Sequence, residues 1–351
     1  MKDTLRKYLS KYENKIDLEH LEKVREESMK VFEFEPVDEI PYVLSPWGDV
    51  KEINGKELDA DWPVFPRVEW NTDPAKMLMS QLRRPYLHNQ IKDYMLPDIR
   101  ADYSPSIIAT IMGSGYEMTD DGLPWSSHLE DRDEVQKVID RGIPDPDTGL
   151  GKDCRETTRY YMEVLSDYPK LKKAVHIYHP DLQGPFDGTH LVWGNDIFLA
   201  MYDCPDTVKA LLQLVTDTYI KWLKEWKEMT GEGNDYTTHW GMFMKGGTCV
   251  RNDTPVMITP DQYEEFVRPY DQQILDEFGG TIHFCGNGGV FLKSMCENSR
   301  NLYGINMSQP HLNNSGEFIE YTQSNRIVLW GLDEKYIPAG VKTGVIAVRN
   351  A

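Results

Sequence analysis

Apolar residues recur at helical spacing at the start of the chain: Leu5, Tyr8, Leu9 and Tyr12, then Leu18, Leu21 and Val24. The positions between them are charged, so the spacing predicts one or two amphipathic helices over residues 1 to about 35, packed as a cap on a larger body. Residues 36–66 are rich in Pro and Asp and read as an irregular connection. Beyond them, short apolar runs alternate with helical segments. The runs are 106–112, 174–178, 238–244, 281–284, 303–307, 327–330 and 344–348, with 64–70 a weaker eighth. Each has the length of a buried strand.

Two of the intervening helices are well marked. One opens at Pro205, carries the stripe Val208, Leu211, Leu212, Val215, Tyr219, Trp222, Leu223 and Trp226, and stops at Gly231. The other opens on Thr259-Pro260-Asp261-Gln262, a capping box with proline at the first helical position, and runs to Phe278 with Gly279 behind it. Alternating strands and helices imply a parallel sheet covered by helices. Eight strands in the remaining chain fit a (β/α)8 TIM barrel, whose usual length is about 250 residues. No Gly/Ser-rich linker divides the chain. The expected organisation is an N-terminal helical extension and connection over 1–60 and one barrel over 61–351.

Charge narrows the partners. Lys and Arg total 38 against 57 Asp and Glu, a net charge of −19. Nucleic acid and anionic membrane surfaces both demand basic patches, so neither is expected as a partner. The five cysteines, Cys154, Cys204, Cys249, Cys285 and Cys296, are too sparse and too odd in number for a disulfide framework, which points to a reducing cytoplasm. The charged N-terminus has no signal-peptide core. No run approaches the roughly 20 apolar residues of a membrane helix.

The chemistry concentrates at His283-Phe284-Cys285-Gly286-Asn287-Gly288. A strand places residues i and i+2 on one face, so His283 and Cys285 point the same way at a strand end. Imidazole beside thiolate is half of a zinc site, and strand C-termini are where barrels keep their active sites. The alternative is a packed cysteine beside a hydrogen-bonded histidine. Candidates for further ligands are Cys249, Asp253, His239 and Glu334. Cys249 is favoured because thiolates suit zinc and Gly246-Gly247-Thr248 frees its loop. Cys296 falls on the following helix and is expected in the core. The turn Gly286-Asn287-Gly288-Gly289 either offers backbone N–H groups to an anion or is a plain strand-to-helix turn. In Arg251-Asn252-Asp253, the aspartate is placed to orient a substrate or act as a base and the arginine to bind a carboxylate; a loop ion pair is the alternative. His179 and Asp181 are candidates for the barrel mouth. Trp240-Gly241-Met242-Phe243-Met244 is either a soft pocket wall or strand core.

Together these features resemble the uroporphyrinogen decarboxylase superfamily over roughly 106–330. The resemblance is carried by Gly184-Pro185-Phe186, by Asp203-Cys204-Pro205-Asp206-Thr207-Val208 with its long helix, by Asp253, by the segment from Thr259 to Tyr270, and by Thr281 to Gly288. It implies the barrel fold. Its closest branch implies a zinc-dependent methyltransferase that moves a methyl group between a corrinoid, carried on a partner protein, and a thiol or small methylated substrate. In that reading His283, Cys285 and Cys249 hold Zn²⁺ and Asp253 and Arg251 are catalytic. Arg67, His179, Trp240 and Asn287 line the small-molecule site. Two departures stand out. Pro66-Arg67-Val68-Glu69-Trp70-Asn71 lacks the family's Arg-rich motif, leaving Arg67 a lone candidate. The distal cysteine of the methyltransferase branch is missing, since no cysteine follows Cys296. The alternatives are a metal-free lyase, with Arg67 or Arg251 on a carboxylate and Asp253 stabilising a protonated intermediate, and a barrel that binds a tetrapyrrole or corrinoid without turning it over.

Overall fold

The computed structural model describes residues 1–46, 50–53, 55–129 and 131–350. Two helices, α1 (Lys2–Lys15) and α2 (Leu18–Phe32), bury the apolar stripe read from their periodicity: Leu5, Tyr8, Leu9 and Tyr12 on one, Leu21 and Val24 on the other. They are followed by strands β1 (Tyr42–Leu44), β2 (Asp98–Ile99) and β3 (His176–Ile177). Next come β4 (Tyr236–His239) and β5 (Met242–Lys245), which form an antiparallel hairpin. Then β6 (Thr248–Arg251), β7 (Gly280–Phe284), β8 (Leu302–Met307), β9 (Val328–Asp333) and β10 (Val345–Arg349) pair in parallel in that order. β10 pairs in turn with β1, and β2 pairs in parallel with β3.

Leaving the hairpin aside, the described residues supply eight staves of a TIM-type (β/α)8 fold. Single backbone bonds bridge the two seams between the paired groups, from Tyr94 N–H to Tyr42 O at 3.0 Å and from Gly184 N–H to Arg251 O at 2.7 Å. Helices α3 (Pro74–Ile91), α4 (Gly149–Ser166), α5 (Pro205–Thr230), α6 (Pro260–Phe266), α7 (Arg268–Phe278) and α8 (Ser315–Ser324) clothe the outside. The register matters for the site. Arg251 of β6 stands beside His283 of β7, and His283 beside Asn306 of β8, so three adjacent staves present these side chains at one level.

Several expected strands are something else. Residues 106–112 form a short helix, Ile107–Ile111, because a continuous apolar run fits a buried helix as well as a buried strand. Residues 64–70 are irregular except for one 3₁₀ turn, Arg67–Glu69. The helix expected over 260–278 breaks at Val267 into α6 and α7, where Pro269 has no N–H to continue the ladder. Staves β1, β2 and β6 went unread, and β1 lies inside the stretch taken for an irregular connection.

The apolar run 238–244 is the hairpin β4–β5. Its two-residue turn is Trp240-Gly241, with φ of 53° and 81°, the left-handed pair that matches the twist of a hairpin. Its base lies near α2, where Lys245 pairs with Glu33 and Phe243 packs on Phe32 at 5.6 Å. Its tip reaches separate walls of the barrel. Trp240 packs on His283 of β7 and Trp330 of β9. Gly241 donates its N–H to Asp98 of β2 at 2.7 Å and accepts from Leu96 N–H at 2.7 Å. Touching opposite staves, the tip lies inside the lumen. Replacing Asp98 by Ala leaves the buried Gly241 N–H without its acceptor. The expected cost is about 1–3 kcal/mol, seen as a lower urea midpoint with an unchanged slope. An unchanged midpoint would show that the tip does not depend on the bond to Asp98.

Candidate metal centre

The site is built by the ends of β6, β7 and β8. The C-terminal end of β7 carries His283, with Cys285 two residues further on, and the turn after β6 brings Asp253 over them. One ligand atom from each of Asp253, His283 and Cys285 lies within 4.8 Å of the others. Asp253 Oδ1 is 3.4 Å from His283 Nε2, and Cys285 Sγ is 3.6 Å from the same nitrogen. Ser308, just past β8, places its Oγ 3.5 Å from both Sγ and Nε2.

The orientation of His283 follows from a chain of hydrogen bonds. The Trp330 carbonyl only accepts, so the side-chain N–H of Asn306 faces it at 2.6 Å. That turns Asn306 Oδ1 toward His283 Nδ1 at 2.5 Å, and Nδ1 must donate. Nε2 is left as a lone pair directed at Asp253 and Cys285. Such second-layer bonds set the tautomer of metal-binding histidines. Asp253 Oδ1 is buried with no hydrogen-bond donor. Two facing acceptors at this distance call for a proton or a metal ion between them. Burial opposes the Asp253 charge; a proton shared with His283 Nε2, the Cys285 thiol and the Arg251 charge together outweigh it and hold the carboxyl below the usual range. Burial, and then the Asp253 charge, push the Cys285 thiol up to about 12. Carboxylate oxygen, imidazole nitrogen and thiolate sulfur together are a donor set that fits zinc.

Beside the cluster lies a cavity of about 400 Å³, lined by Trp240, Met242, His283, Asn306, Met307 and Ser308, together with Gly331 and Val348. On the other wall runs a buried chain of ion pairs. Arg67 pairs with Asp102 at 3.0 Å, Asp102 with Arg100 at 2.8 Å, Arg100 with Asp181 at 3.4 Å, and Asp181 with Arg251. Arg251 also donates to His239 Nε2 at 2.7 Å and sits 4.9 Å over the Trp240 ring.

The candidates separate accordingly. His283, Cys285 and Asp253 converge, and Trp240 joins them at the cavity. Cys249 does not belong to the cluster. It sits two residues before Arg251 on β6, one level deeper on the same face, with its thiol pushed up to about 12 by burial. Glu334 is bound to Arg349 on the surface, and His239 is occupied by Arg251. His179 is fully buried. Its Nδ1 donates to the Pro180 carbonyl at 2.8 Å and its Nε2 accepts from Cys249 N–H at 3.2 Å, which stitches the chain after β3 to β6. Arg67 and Arg251 are the two ends of the ion-pair chain. In the turn after Cys285, the N–H groups of Gly286 and Gly288 are taken by Gln309 at 2.5 Å and Asn313 at 3.0 Å, so the plain-turn reading holds and no anion cradle is left. Asn287 is exposed and accepts from Gly289 N–H at 3.4 Å. Sequence reasoning missed Asn306, Ser308, Arg100 and Asp102. The one available signal was a polar Asn inside the apolar run 303–307.

The uroporphyrinogen decarboxylase (URO-D) family model matches residues 106–328. Among solved structures, a methyltransferase from Methanosarcina mazei has the same fold, with a TM-score of 0.62 and 15% identity, over 93% of this chain and 92% of that one. At that identity the likeness speaks to the fold. No curated protein matches the chain.

Asn252, beside Asp253, is held from behind by Asp271 of α7, whose Oδ2 accepts its side-chain N–H at 2.5 Å. Burial raises the Asp271 carboxyl to about 7. A carboxyl raised on folding binds its proton more tightly in the native state. Its contribution to stability is therefore complete below about pH 4 and is lost as pH rises to about 7. Asp271→Asn removes this titration, so the difference between wild-type and variant denaturation midpoints is expected to change across that window, the wild type losing ground to the variant as pH rises. A constant difference would place the ionised form in the native protein.

Proposed function

The chain belongs to the uroporphyrinogen decarboxylase family, and from that premise we propose that it is a zinc-dependent methyltransferase acting between a thiol, or a small methylated compound, and a corrinoid carried by a partner protein. One observation carries this reading: Asp253, His283 and Cys285 bring an oxygen, a nitrogen and a sulfur ligand atom together within 4.8 Å, beside a cavity sized for a small molecule. Zinc bound there supplies Lewis acidity that makes a coordinated thiol a thiolate near neutral pH.

The chain's own residues do the rest. Asn306 fixes the His283 ring and keeps Nε2 bare. Asp253 supplies negative charge over the same point. Trp240, Met242 and Met307 give the cavity an apolar wall, beside which charge interactions are stronger than in bulk solvent. The metal-free lyase reading draws on Arg67 and Arg251. Arg67 is paired with Asp102 and Arg251 with Asp181, which counts against that reading, although three arginines share two aspartates and the chain keeps one net positive charge. The cytoplasm is the proposed setting, since five free cysteines suit a reducing compartment. No helix among the described residues is long and apolar enough to cross a membrane.

Protein prepared without added metal is expected to hold close to one zinc per chain by elemental analysis, and Cys285→Ser to lose most of it while keeping its circular dichroism. Because the metal must displace the Cys285 proton, zinc affinity should fall as pH is lowered. Zinc retained in full by folded Cys285→Ser would end the proposed ligand set. Asn306→Ala should weaken zinc binding by about 10- to 100-fold without touching a ligand, measured by competition with a chromogenic chelator. Unaltered affinity would mean that Asn306 does not orient the ring. Demethylation of methylcobalamin by added thiols tests the reaction itself. A zinc-loaded protein inactive with every thiol and corrinoid tried would overturn the transferase assignment.

A further inference from the structure

The hairpin tip bears on what the site admits, and the argument rests on the metal-site reading above. Trp240 holds the first turn position at φ 53°, where Asn or Gly is the usual occupant. A bulky side chain is unfavourable in left-handed backbone, so Trp240 is there for what its indole touches rather than for the turn. The indole is fixed on several sides. The Arg251 guanidinium lies 4.9 Å from the ring centroid, the His283 imidazole stands edge-on at 4.9 Å, and Trp330 is tilted against it at 5.7 Å. Arg251 is itself immobilised by Asp181 and by its bond to His239 on the same hairpin. The neighbouring Gly241 is pinned to Asp98 and Leu96. A side chain so held is a rigid wall beside the metal-facing nitrogen.

That wall bounds a cavity of about 400 Å³, near the small end of the range for ligand pockets. Met242 and Met307 complete its soft lining. We infer that Trp240 is a specificity-determining residue: its indole is the fixed wall of the cavity next to His283, so that a thiol reaching the cluster must be slim close to its sulfur. Neither the ligand set nor the proposed reaction requires such a limit.

The test uses the full-length protein loaded with Co²⁺ in place of zinc, titrated with 2-mercaptoethanol and with benzyl mercaptan, and read by thiolate-to-cobalt charge-transfer absorption. The wild type is expected to bind the short thiol at least about tenfold more tightly than the aromatic one. In Trp240→Ala the ratio of the two affinities should shift by about tenfold or more in favour of the aromatic thiol. Trp240→Asn, whose side chain suits left-handed backbone, should behave alike and keep the hairpin formed, as checked by thermal denaturation. An unchanged preference in both folded variants would overturn the inference while leaving the metal site standing. Failure of the wild type to bind cobalt would overturn the metal-site reading, and this inference with it.

Discussion

The cluster depends on the bond by which His283 gives its Nδ1 proton to Asn306. That bond exists because the Trp330 carbonyl orients the Asn306 amide from the next stave. Three consecutive strands thus act in sequence: β9 orients β8, β8 orients β7, and β7 presents Nε2. None of these contacts is a ligand contact, yet together they decide which ring nitrogen faces Asp253 and Cys285. The parallel register supplies the alignment, since it places His283 level with Asn306. A slip by one residue would turn every side chain on β7 to the other face of the sheet.

The far wall of the lumen is organised by charge. Five side chains, from Arg67 to Arg251, alternate in sign across the staves. A buried ion pair is costly to assemble and seldom improves stability over an apolar pair, but breaking one leaves an uncompensated charge. The chain is best understood as scaffolding. It brings Arg251 to the back of Trp240 and satisfies the arginines, so the open space beside His283 is bounded chiefly by soft apolar and neutral polar groups. Asp253 is then the formal charge set beside Cys285, while the arginines are held by aspartates on the other wall.

His283 and Cys285 were legible in the sequence because strand geometry has period two, and a short polar pair at the end of an apolar run is visible without any knowledge of the neighbours. That Asp253 rather than Cys249 comes level with His283 and Cys285 was not decidable in the same way. The two differ in height along β6 and the turn after it, and height relative to β7 is set by pairing register, which leaves no local trace. Asn306 was hidden in a run counted as apolar. Strands β1 and β2 are three and two residues long, too short to show any alternation. Residues 106–112 and 238–244 show the converse error. Their apolar content announced burial correctly, but burial inside a barrel is shared by staves, by a helix tucked behind them and by a hairpin within the lumen. The long amphipathic helices were read well because many turns repeat the same signal.

The pairing of β1 with β10 has a temporal side. Tyr42 finds its partner Ala347 roughly 300 residues later, a separation that places this ladder among the slow, non-local contacts of folding. During synthesis, β1 and the growing edge at β9 both wait with unpaired backbone until the segment Val345–Arg349 has left the ribosome. The chain therefore passes through a stage in which most of its apolar staves exist and one stave is missing between β9 and β1, leaving two exposed edges, the state in which strand edges recruit foreign strands. Susceptibility to aggregation should then be governed less by the stability of the finished barrel than by how promptly the last strand arrives.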